Sequence, residues 1–237
     1  LATNPTPAAT RRAASTEVEV ARLVAVIAAL REHCPWTAAL THDSLTTYLL
    51  EESYELIEAI ESGHGGDIAN ELGDILLQVV LHARLAEESG SFDLADVVRG
   101  LSEKMIRRSP HVFHPDGTLQ SSFPATIAEI EAVWERVKAD ERAATGAAVP
   151  VAESPFAGIP ASLPALAMAQ KSVERAARAG IGVPALAGNI AGTIEPGTIT
   201  TEDELGKLLF DVVRGAHECG LDAERALRQA VRDFQGR

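Results

Sequence analysis

The feature that most constrains the fold is a pair of amphipathic stretches separated by only Gly63-His64-Gly65-Gly66. The first covers about 43–62 and sets Leu45, Leu49, Glu52, Leu56 and Ala59 three or four positions apart, on one helical face. The second covers about 67–88, with Leu72, Ile75, Leu76, Val79, Val80 and Ala83 as an expected core stripe. Glu71, Asp74 and Gln78 form a polar stripe beside it. Two helices joined by so short a turn must run antiparallel, and the glycines supply the positive φ that such a turn needs. Glu52 therefore lies within an apolar stripe, with Glu55 one turn along on the same side. A charge there is costly unless something compensates it. The carboxylates on the two sides of the turn can face one another.

That arrangement suits Mg²⁺, a hard ion that takes oxygen ligands, commonly a few carboxylates with waters and substrate phosphates. Glu52 with Glu55, and Glu71 with Asp74, each present two carboxylates to one side of a helix. Packed together without a cation they would repel by roughly a few kcal/mol. Acidic pairs on solvated faces are common, and Glu58 and Glu61 are read as such a face. It is the set of four that points to metal. Lys104, Arg107 and Arg108 end a later helix, where they either complement its dipole or clamp phosphate. His82 reads as a hydrogen-bonded packing residue, since Mg²⁺ does not favour imidazole. Trp36 and Trp134 read as core pieces, and Cys34 as a small buried residue with no base tied to it.

The rest of the chain is helical in pattern, and an all-α fold is expected. Of 237 residues, 46% are hydrophobic but only 4% aromatic, a balance that favours helices over sheets. Residues 1–15 are expected to be a disordered tail. A first domain, 16–142, opens on a capping-box spacing at Thr16 and Glu19, and its first helix stops at Cys34-Pro35. Asp93 caps the helix whose inward residues are Leu94, Val97, Val98, Leu101 and Met105, and Thr126 with Glu129 opens the next, through Trp134 to about Arg142. Residues 143–164 read as a linker, and 165–237 as a second helical domain without a clear helix between 180 and 200.

The second domain repeats part of the first. Glu71-Leu72-Gly73-Asp74-Ile75-Leu76-Leu77 recurs as Glu204-Leu205-Gly206-Lys207-Leu208-Leu209-Phe210. Val79-Val80 matches Val212-Val213, and Asp93 matches Asp222. Lysine replaces Asp74, and no EExxE segment precedes Glu204 at the right distance. This copy is expected to keep its packing stripes and bind no metal. The net charge of −13 argues against a nucleic-acid partner. No stretch is long and apolar enough for a membrane span. Two distant cysteines and no secretion-signal pattern lead to the expectation of a cytoplasmic protein.

HCPW at 33–36, THDSLTTYLLEESYELIEAI from 41, ELGDILLQVVLHARLAEESGSF from 71 and KMIRRSPHVF from 104 together resemble the MazG family of nucleoside triphosphate pyrophosphohydrolases. The resemblance implies a compact four-helix catalytic module of the all-alpha NTP pyrophosphatase type, duplicated here with a degenerate second copy and completed by homodimerisation. It implies Mg²⁺-dependent cleavage of (d)NTPs between the α and β phosphates, with Mn²⁺ as a substitute, and suggests a role in clearing aberrant nucleotides. The family's metal ligands fall on Glu52, Glu55, Glu71 and Asp74. Glu51 and Glu52 are the candidate catalytic carboxylates. The family's nucleotide contacts fall on Lys104, Arg107, Arg108, Trp134 and Lys138. Ser109 stands where the family usually has histidine, and Lys207 shifts activity to the first copy. The competing reading is a non-catalytic helical module whose acidic face docks a basic partner.

Overall fold

In a computed structural model the chain is described over residues 7–123, 126–144, 154–184 and 199–236, with side chains from residue 15 onward apart from 142–144. The described residues are all-α, with one isolated antiparallel bridge between Phe113 and Leu119. They divide into two compact units, 1–141 and 142–237.

The first unit begins with α1 (Pro7–His33). This helix starts inside the stretch expected to be disordered, because Ala8, Ala9, Ala13 and Ala14 with Arg11 and Arg12 are strong helix formers. Thr16 and Glu19 therefore lie within the helix rather than at its cap. Extended backbone at Cys34 leads into the short α2 (Pro35–Ala38), with proline in the first turn, where no amide bond is lost. Thr41 caps α3 (His42–Ser62) through a reciprocal box with Ser44. Gly63, at φ 78°, ends it in the left-handed conformation that glycine tolerates. Then α4 (Gly65–Glu88) returns along α3.

Ile27, Leu40, Leu45, Val80 and Leu81 form the buried core between α1, α3 and α4, flanked by Leu23, Val24, Leu77, Leu85 and Leu94. Arg31 staples it. Its guanidinium meets the Glu88 carboxylate at 2.6 Å and also donates to the carbonyls of Thr37 and Leu40. Thr37, itself buried, donates its hydroxyl to the carbonyl oxygens of Leu30 and Cys34 at 2.5 and 3.1 Å.

Asp93 caps α5 (Leu94–Arg108) in a box with Asp96, and Thr126 with Glu129 does the same for α6 (Ile127–Ala144). The second unit contains α7 (Ala165–Arg178), α8 (Glu202–Glu218) and α9 (Ala223–Gln235), mutually packed around Val173, Ala176, Leu208, Val213 and Ala223. Residues 145–153 of the expected linker and 185–198 lie outside the described residues.

Apolar expectations on four elements need correction. Leu72, Leu76 and Val79 are 40–52% exposed, while Gln78 from the polar stripe is buried. The apolar arc of α4 is wider than α1 and α3 can cover. Val97, Val98 and Leu101 of α5 likewise face outward, as does Leu49 of α3. Trp36 is exposed rather than a core plug, and meets Tyr48 edge-on at 6.4 Å between centroids.

Candidate metal centre

The hairpin of α3 and α4 sets the geometry. Glu52 and Glu55 lie one turn apart on α3, and Glu71 projects from α4, the helix packed against it. Each of the three offers a carboxylate oxygen within 4.8 Å of the others. The Oε2 atom of Glu71 is buried and has no hydrogen-bond partner. An orphaned carboxylate oxygen inside a group of carboxylates is the opposite of a satisfied polar network, and a divalent cation could supply the missing partner. All the donors are hard oxygens, so the set fits Mg²⁺ or Mn²⁺ better than a soft metal.

The charge state carries the same signature. The Glu52 carboxyl is pushed above the usual range, first by partial burial and then by Asp74, Glu55, Glu71 and Glu51 in that order. Glu71 is raised too, by burial and then by Glu55, Asp74 and Asp67. Asp74 therefore lies close enough to act on both, although its oxygens fall outside the close group of three. Glu51 is exposed and acts on Glu52 more weakly than the other three. The half-buried Glu52 is the more sheltered of the two candidate catalytic carboxylates.

The expected nucleotide contacts are partly engaged already. Lys104 is half-buried and has no ion pair among the described residues. Arg107 and Arg108 share one carboxylate, that of Glu141, at 2.5 and 2.6 Å. Lys138 meets Glu135 at 2.8 Å, and Trp134 is partly exposed on the same helix. Glu141 was not singled out by sequence. It stands 33 and 34 residues from its partners, a separation that no helical periodicity reports. His82 bonds His42 Nδ1 to Nδ1 at 2.7 Å, in keeping with its reading as a packing residue. Burial and then the His42 charge lower its pKa.

A MazG nucleotide pyrophosphohydrolase domain model matches residues 40–113, the segment that holds all four acidic positions and the basic turn of α5. The nucleoside triphosphate pyrophosphohydrolase of Escherichia coli K12 is 35% identical over 92% of this chain and 85% of its own length. The nucleoside triphosphate pyrophosphohydrolase/pyrophosphatase MazG of Thermotoga maritima is 37% identical, over 90% and 81%. An uncharacterized 26.1 kDa protein of Streptomyces cacaoi is 39% identical, over 90% and 78%.

Proposed function

The chain belongs to the MazG family of the all-alpha NTP pyrophosphatase superfamily, and on that premise we propose that it cleaves (d)NTPs between the α and β phosphates, using Mg²⁺, to a nucleoside monophosphate and pyrophosphate. The observation that carries this reading is the meeting of Glu52, Glu55 and Glu71 around an unpaired buried oxygen. With Asp74 they would hold the cation. Bound Mg²⁺ supplies neutralisation of phosphate charge and makes water a better acid.

The chain's own residues do the rest. Glu51 or Glu52 takes the proton of the attacking water. The water oxygen attacks the α-phosphorus, the bond to the bridging oxygen breaks, and pyrophosphate leaves with its charge met by Lys104, Arg107 and Arg108. Trp134 and Lys138 contact the nucleotide.

The same reading assigns catalysis to residues 16–142 and makes 165–237 a degenerate duplicate joined by 143–164. The matched positions of α4 and α8 support the duplication. Leu205, Leu209 and Val212 are exposed like Leu72, Leu76 and Val79, and Val213 is buried like Val80. The outward apolar face of α4 supports a homodimer. Two unpaired cysteines fit work in the cytoplasm, on aberrant nucleotides among others. No helix among the described residues is long and apolar enough to cross a membrane.

Product analysis on a panel of NTPs, with Mg²⁺ and with EDTA, tests the reaction. Monophosphate and pyrophosphate in the Mg²⁺ arm alone are expected. Release of orthophosphate, or no release at all, overturns the assignment.

A further inference from the structure

Arg107 and Arg108 are consecutive residues, so on an ideal helix their side chains would point about 100° apart. Here both converge on one carboxylate. Arg107 Nε donates to Glu141 Oε1 at 2.5 Å, and Arg108 donates to Oε2 from Nε at 3.0 Å and from Nη2 at 2.6 Å. A guanidinium carries its N–H groups in a rigid fork, and Glu141 takes only the Nε side of each. Both Nη atoms of Arg107 and the Nη1 atom of Arg108 have no hydrogen-bond partner among the described residues. One negative charge against two positive ones leaves the cluster cationic.

The order of burial separates an anchor from a plug. The Glu141 side chain is 19% exposed, Arg108 24% and Arg107 52%. The carboxylate is the innermost member and the arginines stand outside it. An acidic group that blocked the arginines from anions would have the opposite order. The Arg108 and Arg107 guanidiniums hold the Glu141 carboxyl down at about 2, so the anchor is charged at neutral pH.

We propose that Glu141 is a positioning residue that grips Arg107 and Arg108 by their inner edges and fixes their outer N–H groups as a double guanidinium seat for substrate phosphate. The proposal deepens the function given above and rests on its assignment of the two arginines to phosphate. Helix α6 then does more than carry Trp134 and Lys138. Its last turns organise the cationic end of α5.

The test uses the full chain and pyrophosphate as probe, with and without Mg²⁺, alongside steady-state kinetics on dATP. Glu141→Ala is expected to raise the pyrophosphate Kd and the dATP KM by roughly tenfold, the loss that goes with one charge-assisted hydrogen bond. Glu141→Gln, whose amide oxygen still accepts from one arginine, should fall between parent and alanine variant. It also replaces the alanine variant if circular dichroism shows that one unfolded. In an Arg107→Ala/Arg108→Ala background, removing Glu141 should change neither constant further. Unchanged or tighter pyrophosphate binding in the Glu141 variants overturns the proposal. So does an equal further loss in the arginine-free background, which would mean that Glu141 merely props α6. If the double arginine variant binds pyrophosphate like the parent, the seat does not exist. The binding arm requires no turnover, so an inactive parent chain would defeat the hydrolase reading without deciding this one.

Discussion

Glu52 and Glu71 hold their protons more tightly than free glutamates, first because they are partly buried and then because other carboxylates crowd them. Their folded pKa values lie above the unfolded ones, so their repulsion is fully present at neutral pH and is relieved as pH falls through those raised values. Glu88 and Glu141 behave oppositely. Hydrogen bonds from Arg31 to Glu88, and from Arg108 and Arg107 to Glu141, depress both, so their contribution is present above the ordinary glutamate value and lost as pH falls through the folded one. The metal-free protein should therefore gain thermal stability as pH falls from neutral towards the ordinary glutamate range and lose it as pH falls further, below that range. Mg²⁺ should raise the melting temperature at neutral pH and flatten the acid-side gain. Melting curves in EDTA and in Mg²⁺ across this range check both, and a metal-free Tm that only declines from pH 7 would contradict the crowding. Asp74→Asn should raise the metal-free Tm while lowering turnover by at least about 100-fold, more than outer partners of metal ligands usually cost. At this scale the glutamates were legible because three- and four-residue spacing fixes which side chains share a helical face. Glu141 was not, because its partners lie 33 and 34 residues away on a helix that no short turn sets against its own.

Helices tolerate errors of another kind. Periodicity located the apolar arc of α4 but assigned Leu72, Leu76 and Val79 to the core, where the structure leaves them exposed and buries Gln78 instead. A hydrophobic pattern records that a face is to be covered, not whether the cover comes from the same chain. Leu76→Glu tests the outside alternative. It should leave helical content intact and raise the dimer Kd by at least about 100-fold, as read by sedimentation equilibrium, in line with losses at central interface residues. A parent chain that is monomeric at micromolar concentration would remove the premise. Arg31 is the contrary case, a polar residue that holds α1, the end of α2 and α4 together. Arg31→Ala should cost about 2 kcal/mol in urea unfolding, since Glu88 is partly exposed but two carbonyls lose a donor. The helix starts at Thr41, Asp93, Thr126 and Thr201 follow local capping chemistry. Asp93 and Thr126 were placed from sequence. The early start of α1 is hidden in the sequence by Pro- and Thr-bearing residues beside its first alanines, which carry no apolar periodicity.

Across the whole molecule, the acidic set belongs to the first unit alone. In the second, Lys207 occupies the position matched to Asp74 and pairs with Asp203 at 2.5 Å. Lys207→Ala should leave pyrophosphate release unchanged, whereas a large loss would give the second unit a direct part in the reaction. All-α architecture was readable from composition and helical spacing. Glu71 and Leu72 are consecutive residues of α4, one in the carboxylate cluster and the other in the uncovered apolar stripe. In the proposed dimer, self-assembly and cation loading would draw on the same turn of helix, and by reciprocity any effect of one on the other would be returned in equal measure. Were pairing to favour the cation, dilution would lower the yield of each copy as well as the number of copies, and abundance would act as a throttle on the proposed hydrolysis.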